Sequence, residues 1–223
     1  MNLTKSSEYF DPLMDNARIH IVGCGSVGST LAENLARCGC TNFELYDFDT
    51  VEPHNISNQM FNESHVGAPK IDALVDILTS INPEIKHTVK LHPKGWKGRM
   101  MSGYIFLCVD DIQIRKDIVE KHFNSPYVKA VFDFRTVLES AMHYAADWKN
   151  QKEKQMLLDS MQFSHEEAME EAPVSACGIT LGVSPTVRAI CAFGVANYIN
   201  FVKGKKLKHF INCDVFNFIL DAF

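Results

Sequence analysis

The sequence predicts a Rossmann-like α/β fold with a mixed sheet, in which a parallel nucleotide-binding half is followed by antiparallel strands. An apolar run, IHIV, leads into glycines at positions 23, 25 and 28 and then into a helical pattern. A second apolar run, FELYDF, ends around Asp47. Later, VKAVFDFRTV and AMHYAAD are two β-rich runs separated only by LES. A glycine-rich turn between a strand and a helix, followed by an acidic strand end, is typical of a nucleotide-binding βαβ unit.

Each glycine of the first turn has a distinct expected role. Gly23 permits the sharp turn, Gly25 lets a phosphate-bearing ligand approach the backbone, and Gly28 lets the helix pack close to its strand. The ligand would meet the positive end of the helix. Asp47 follows Gly28 by about 19 residues, the spacing at which a carboxylate accepts hydrogen bonds from ribose hydroxyls.

Length and composition predict one α/β domain. With 223 residues and 46% hydrophobic content, the chain can bury one substantial core. The 22 basic and 27 acidic side chains give a net charge of −5, so we expect no general binding to nucleic acid or to a membrane surface. Seven scattered cysteines, with no signal peptide and no membrane-spanning segment in the sequence, predict a cytoplasmic protein with reduced thiols.

The pattern along the chain predicts an arm and a domain. Residues 1–17 are polar and predict an N-terminal arm before a domain of residues 18–223. After Lys70, the apolar spacing of IDALVDILTSI predicts a helix that ends at the following Asn-Pro. A strand near KHTVKLH and a solvated loop, KGWKGRMMSG, then lead to the strand YIFLCV.

Two adjacent acids follow that strand. Asp110 and Asp111 precede IQIRKDIVEKHF, whose apolar spacing predicts a helix. Ligands of an open parallel sheet gather at the carboxyl ends of the strands, so Asp110 is expected beside the same crevice as Asp47. Asp111 is suited to capping the helix, whereas Asp110 is the better candidate for holding a magnesium ion.

The second half of the sheet is expected to be antiparallel. The runs at 128–137 and 141–147 read as neighbouring strands, and residues from about 149 to 176 read as a polar, mobile crossover segment. A largely buried helix is expected to end near Gly204. The run HFINCDVFNFIL then predicts one further strand or a pair of short strands.

Several runs together resemble the ThiF/HesA/MoeB superfamily, the ubiquitin-activating-type adenylyltransferases. These runs are GCGSVGSTLAENLARCG, DFDTVEPHNISNQ, VGAPK, INPEI and CVDDIQIR. They cover about residues 18–115, with a looser match over 173–223. The resemblance implies that residues 18–223 form an adenylation domain, and that the polar crossover clamps a partner's extended tail.

The resemblance also implies roles for individual residues. Lys70 would contact phosphate and act in catalysis, and Asp110 would act with it by holding magnesium. The positions that would line the nucleotide site are Gly23, Gly25, Ser26, Gly28, Asp47, Asp49, Asn55, Asn58, Gln59, Lys70 and Asp111. Because a carboxylate and a triphosphate repel each other, such a site needs cations and a metal ion to bring them together.

The sequence departs from the family pattern at one charged position. The family usually has Asn-x-x-Arg-Gln where this chain has NISNQ, so neutral Asn58 replaces a phosphate-contacting arginine. The arm contains no arginine either. Arg135 and Arg18 are possible substitutes, although each is also suited to an ordinary ion pair.

Cysteine chemistry is the second point of departure. The resemblance places Cys177 where some relatives carry a cysteine that takes up the activated modifier, but a single cysteine is also a common buried hydrophobe. The family's structural zinc is held by two Cys-x-x-Cys pairs. This sequence contains neither pair, so we expect no structural zinc.

The resemblance therefore implies an enzyme that uses ATP and Mg²⁺ to adenylate the C-terminal glycine of a small ubiquitin-like or sulfur-carrier protein ending in Gly-Gly. Such relatives are usually homodimers. A second hypothesis is a nucleotide-binding or scaffold protein of the same fold that has lost catalysis, because Asn58 and the arm lack the usual arginines. A third is an NAD-dependent oxidoreductase, which a glycine-rich turn also permits.

Overall fold

The computed structural model describes residues 1–163, 167 and 181–223, and one mixed sheet lies at its centre. The strands follow the spatial order β3-β2-β1-β4-β5-β6-β7-β8. Their bounds are β1 Ile19–Val22, β2 Phe43–Tyr46, β3 Lys90–His92, β4 Gly103–Leu107, β5 Val128–Val137, β6 Ser140–Asp147, β7 Phe210–Asp214 and β8 Ile219–Ala222.

Helices cover both faces of this sheet. They are α1 Ser26–Arg37, α2 Lys70–Ile81, α3 Ile85–Thr88, α4 Ile112–His122, α5 Gln151–Asp159 and α6 Ser184–Val202. Short 3-10 helices lie at Pro12–Asp15, Pro53–Ser57 and Glu63–His65. Among the described residues, none of the helices combines the length and the apolarity needed to cross a bilayer.

The sheet has the predicted two halves. Strands β1 to β5 pair in parallel, and β5 to β8 pair antiparallel. The predicted Rossmann-like mixed sheet is therefore confirmed. The strand order reverses at β1, with β2 on one side and β4 on the other. At such a reversal the loops that leave neighbouring strands diverge to opposite faces and open a crevice at their carboxyl ends.

Two apolar cores hold the helices on the sheet, because successive strand residues point to opposite faces. Ile21, Leu45 and Phe106 belong to the larger core, together with residues of α1, α2 and α6. Ile105 and Leu107 lie on the opposite face and pack in a second core with α4 and α5. Both faces of β4 are thus buried, as expected for a central parallel strand.

The segment after β6 begins with a helix. Residues Gln151–Asp159 form helix α5 at the start of the stretch for which the polar composition predicts a mobile crossover. The Asn150 side chain caps this helix by accepting from the amides of Lys152 and Glu153, and Leu157 is buried against the sheet. Leu158 and Met161 pack against the same core as Leu157, so a few apolar side chains and a cap dock this short polar helix. Residues 164–166 and 168–176 of the predicted crossover lie outside the described residues.

The predicted strand at KHTVKLH is also shorter than expected. Its first residues continue α3, and only Lys90–His92 pair with β2. The predicted final pair of short strands is present as β7 and β8.

Residues 1–17 lie against their own chain. Phe10 is 4% exposed and packs edge-on against Tyr198, and the hydroxyl of Tyr104 donates to Asp15 at 2.5 Å. The polar composition does not predict these two contacts, because each depends on a single side chain of the segment. The division into an arm and a domain remains a prediction.

Candidate functional site

The glycine turn between β1 and α1 leaves no room for side chains at two of its positions. Gly23 has a φ of +90°, and a Cβ there would lie 2.8 Å from the carbonyl carbon of Cys108 at the end of β4. A Cβ at Gly28 would lie 1.8 Å from the carbonyl oxygen of Gly23. The first turn of α1 therefore rests directly on the backbone of the loop that precedes it.

The N-terminus of α1 faces open space. Gly25 is its N-cap residue, makes no side-chain cap, and would have no atom within 4 Å of an added Cβ. Ser26 is the first residue of the helix and is partly exposed. The first amides of a helix lack intrahelical acceptors and carry the positive end of the helix dipole. This arrangement can bind an anion such as a phosphate group.

Asp47 connects the end of β2 to the glycine turn. Its Oδ2 accepts from the amide of Cys24 at 2.6 Å, and its Oδ1 accepts from the amide of Asp49 at 2.8 Å. Burial raises the pKa of Asp47 above its usual value despite these two bonds. Each carboxylate oxygen retains a further acceptor site, so the group can also accept from hydroxyls in the crevice.

Lys70 lies beside this carboxylate at the start of α2. Its Nζ donates to Oδ2 of Asp49 at 2.8 Å, and its amide donates to the Asp49 carbonyl at 2.9 Å. Lys70 is 8% exposed, whereas about half of the Asp49 side chain is exposed. An ammonium group has three donors, so the ion pair leaves Nζ with hydrogen-bonding capacity toward a ligand.

The loop at 53–60 contributes amide side chains. Asn55 is buried, and its Oδ1 accepts from the amide of Glu52 at 2.9 Å. Asn58 follows the 3-10 helix, and its Nδ2 would lie 3.1 Å from a Cβ at Gly182. Oε1 of Gln59 is buried and has no hydrogen-bond partner in the described part of the chain. A buried acceptor without a partner costs about 1–3 kcal/mol, which suits an oxygen that receives its donor from a ligand.

The two acids after β4 take different positions. Asp111 caps α4 by accepting from the amides of Gln113 at 2.8 Å and Ile114 at 3.2 Å. Asp110 is exposed. The part of the chain that the structure describes contains no cluster of three acidic, histidine or cysteine side chains suited to a metal ion. One exposed carboxylate nevertheless fits magnesium, which proteins commonly bind through one or two carboxylates and the phosphates of the substrate.

A buried ionic network supports the Asp110 loop, and sequence reasoning missed it. The Arg115 guanidinium is 6% exposed, pairs with the fully buried Asp133, and donates to the carbonyls of Val109 and Phe134. Burial alone would raise the pKa of Asp133, but the charges of Arg115 and Arg135 outweigh it and hold that pKa below its usual value. The signal was available, because Arg115 lies three residues after inward-facing Ile112 on α4.

Arg135, the predicted substitute for the missing arginine, belongs to this network. Its Nε pairs with Asp133 at 2.7 Å, and its other nitrogens donate to the carbonyl and hydroxyl of Ser160 at 2.8 and 2.9 Å. The guanidinium also lies 4.4 Å from the centroid of the Tyr144 ring. These contacts give Arg135 a structural role, and its catalytic role remains a prediction.

Arg18 and Cys177 are the remaining residues for which a role in the chemistry is predicted. Arg18 precedes β1, pairs with Glu44 at 3.3 Å and donates to the Thr88 carbonyl at 3.1 Å. It is therefore at the opposite end of β1 from the glycine turn of its own chain, and its role as a substitute for a missing arginine remains a prediction. Cys177 lies outside the described residues.

Comparison with known proteins identifies the family. A model of the ThiF family matches residues 13–222. The chain belongs to the ThiF family. It is 49% identical over 67 residues to ubiquitin-like modifier-activating enzyme 5 of Oryza sativa subsp. japonica. The matched stretch covers 30% of this chain and 16% of that protein. It is 34% identical over 119 residues to the enzyme of the same name from Dictyostelium discoideum, which is 46% of this chain and 31% of the relative.

Solved structures agree on the fold. The crystal structure of E. coli MccB with ATP superposes with a TM-score of 0.69 at 17% identity and covers 95% of this chain and 65% of MccB. PaaA superposes with a TM-score of 0.67 at 16% identity, over 95% of this chain and 64% of PaaA. This ThiF-family chain spans less than a third of the curated relatives named above and about two thirds of these structures.

We predict that Gly28→Ala lowers the free energy of unfolding by about 3 kcal/mol, because the new methyl group must push α1 away from the Gly23 carbonyl. Urea unfolding followed by circular dichroism measures this change. Gly25→Ala is the matched control and should lose less stability, since its methyl group enters open space. Equal losses in the two variants would contradict the close approach at Gly28.

We predict that Asp133→Asn lowers stability at pH 7 by about 3–5 kcal/mol, because it leaves two buried guanidinium groups without their carboxylate. In the native protein the folded-state pKa of Asp133 is depressed. Its contribution is therefore fully present above the unfolded pKa of about 3.9 and is lost as the pH falls below that value.

Unfolding free energies of the native protein and Asp133→Asn, measured from pH 6 to pH 3, test this linkage. The difference between the two should shrink on acidification. Asp159→Asn, which removes an exposed carboxylate on α5, should change stability by less than about 0.5 kcal/mol at every pH. A difference that stays constant with pH would show that Asp133 is not ionised in the folded protein.

Proposed function

We propose that this chain uses ATP to adenylate the C-terminal glycine of a small ubiquitin-like or sulfur-carrier protein that ends in Gly-Gly. One observation carries the proposal. The open N-terminus of α1, the Asp47 carboxylate and the Lys70 ammonium lie together at the carboxyl ends of β1 and β2. The proposed reaction needs an anion site for the phosphate chain, an acceptor for the ribose hydroxyls and a cation for the attacking carboxylate.

The residues present fit a nucleoside triphosphate. The amides at the start of α1 would bind phosphate oxygens, and Gly25 leaves the space that this approach needs. Asp47 would accept from the ribose hydroxyls, since each of its oxygens makes only one hydrogen bond to the described backbone. The unpartnered Oε1 of Gln59 and the buried Asn55 would line the same pocket.

In the proposed reaction an oxygen of the tail carboxylate bonds to the α-phosphorus of ATP. The bond between that phosphorus and the bridging oxygen breaks, and pyrophosphate leaves with the electron pair. Lys70 would offset the negative charge that gathers on the phosphate oxygens, and its ion pair with Asp49 holds the ammonium at the end of β2. The backbone amides of α1 are fixed before the substrate arrives, so they need no reorganisation during the reaction.

Magnesium fits the same site through Asp110. The exposed carboxylate would hold the ion together with phosphate oxygens, and the ion would reduce the repulsion between the tail carboxylate and the triphosphate. The protein's own contribution to magnesium binding would be to fix the position of the loop that carries Asp110. Arg115 binds the Val109 carbonyl next to Asp110 and ties it to buried Asp133.

The comparisons support a protein or peptide as the second substrate. Among the structural neighbours, MccB was solved with MccA, and the curated relatives are named as enzymes that activate a ubiquitin-like modifier. The Gly-Gly terminus, the clamping role of the crossover and a cytoplasmic location are parts of this proposal that follow from the family resemblance.

An ATP-binding protein without catalysis is the alternative. It is favoured by neutral Asn58 and by the engagement of Arg135 with Asp133 and Ser160, which together leave the usual arginine position without charge. An NAD-dependent oxidoreductase is a weaker candidate, because it gives Lys70 and Asp110 no task. Calorimetry with Mg-ATP and with NAD separates these classes, since only the oxidoreductase should bind NAD more tightly.

We predict that Lys70→Ala and Asp110→Ala each lower ATP-pyrophosphate exchange by about 100-fold or more, because each removes charge that neutralises the phosphates. Exchange should require a cognate Gly-Gly tail. Lys86→Ala and Asp76→Ala change exposed residues of the same types on α3 and α2 and should leave exchange within about twofold of the native rate. Thermal unfolding of every variant verifies its fold.

The result of this assay decides between the two main hypotheses. Native protein that binds Mg-ATP but exchanges no pyrophosphate with its true partner present would favour the binding protein. Exchange that survives in both Lys70→Ala and Asp110→Ala would refute the assignment of these two residues.

We predict a homodimer in solution, as the family resemblance implies. Multi-angle light scattering at micromolar concentration should give twice the mass of 25.2 kDa. A monomer at that concentration would remove the dimer from the proposal without affecting the adenylation site.

A further inference from the structure

Arg188 is an exposed arginine near the start of α6 that the mechanism above does not use. Its Nε donates to the hydroxyl of Ser184 at 3.2 Å, and its Nη1 lies 3.2 Å from the sulfur of Met60. Met60 directly follows Asn58 and Gln59 in the loop at the nucleotide crevice. The guanidinium therefore borders the loop that lacks the usual arginine.

Two sets of contacts place Arg188 beside the first turn of α1. The Met60 amide donates to the hydroxyl of Ser29 at 3.2 Å, and this hydroxyl donates to the carbonyl of Gly25 at 2.6 Å. One helical turn beyond Arg188, the thiol of Cys191 donates to the Val27 carbonyl at 3.5 Å. The same side of α6 thus carries Arg188 and packs on the helix end that faces open space.

The charge of Arg188 is poorly satisfied compared with that of other cations near the crevice. Lys70 pairs with Asp49, and Arg115 and Arg135 both pair with Asp133. In the described part of the chain, Arg188 contacts a hydroxyl and a thioether, and no carboxylate pairs with it within 4.0 Å. A thioether is a weak acceptor, whereas a guanidinium binds phosphate oxygens through two parallel hydrogen bonds.

A buried polar atom without a partner lies in the adjoining loop. Oε1 of Gln59 has no hydrogen-bond partner in the described part of the chain. Gln59 immediately precedes Met60, which contacts Arg188. An unsatisfied buried acceptor beside Arg188 supports a polar ligand at this junction.

We propose that Arg188 binds the β- and γ-phosphate oxygens of the triphosphate and supplies the positive charge that Asn58 does not. This inference rests on the proposed function, because it requires ATP in the crevice. It names Arg188, rather than Arg135, as the arginine available to the nucleotide. The exposed side chain gives up only a hydroxyl and a thioether when it turns toward phosphate, so reorientation costs little.

Binding of ATP, ADP and AMP to Arg188→Gln tests the proposal, with magnesium present and calorimetry as the readout. We expect ATP affinity to fall by about 10- to 100-fold, the range for lost hydrogen bonds to a charged group. AMP affinity should stay within about twofold, because AMP has no β- or γ-phosphate. Arg188→Lys should recover part of the loss, since it restores charge but not the bidentate geometry.

Two further variants make the test specific. Arg37→Gln removes an exposed arginine of α1 that pairs with Glu33 at the far end of the helix, and it should leave ATP affinity unchanged. Adding Asn58→Arg to Arg188→Gln should restore most of the lost ATP affinity, because it returns the charge to the adjoining loop.

The outcomes separate this inference from the proposed function. Native protein that binds no ATP would overturn both. Native protein that binds ATP as tightly as Arg188→Gln would overturn the role of Arg188 alone. An equal loss of AMP and ATP affinity would also overturn it, because the arginine would then act on the nucleoside or on the fold rather than on the outer phosphates.

Discussion

The close approach of α1 to the backbone of the β1 loop is the constraint on which the site depends. A Cβ at Gly28 would lie 1.8 Å from the Gly23 carbonyl, so the helix can take this position only without a side chain there. The same packing points the free amides of α1 at the carboxyl ends of the central strands. It also brings the amide of Cys24 within 2.6 Å of Asp47. The absence of a side chain at Gly28 therefore helps to position both the free amides of α1 and the Asp47 carboxylate.

A second constraint is electrostatic and lies under the neighbouring loop. Asp133 is fully buried between Arg115 and Arg135. Replacing such a buried ionic group with apolar side chains often increases the stability of a protein. In this protein the ionic network serves to fix the backbone. Arg115 reaches the Val109 carbonyl and the Phe134 carbonyl, so it fixes the loop that carries Asp110 relative to β5. An apolar core could hold the helix but would not specify the path of that loop.

Periodicity and turn chemistry in the sequence predicted the parallel half, the antiparallel half and the glycine turn, because each of these depends on residues close together in the chain. The features that sequence reasoning missed depend on which individual side chains are buried or already paired. Helix α5 is docked through Leu157 and capped by Asn150, both inside a polar segment. Arg135 is a possible substitute for the missing arginine in the sequence, and in the structure a buried carboxylate two residues earlier in its own strand binds it. Composition cannot show which of several arginines already has a partner.

In the proposed function, positive charge from several elements would offset the absence of an arginine at position 58. A triphosphate requires cations on more than one side, and their chain positions are free as long as the side chains reach the same space. Under the proposed function, this charge would come from Lys70 at the start of α2, from the first amides of α1, and from Arg188 on α6 beside Met60. Since the thiol of Cys191 on α6 donates to the Val27 carbonyl in the first turn of α1, a cation one turn earlier on α6 would lie near the proposed anion site without an arginine in the 53–60 loop.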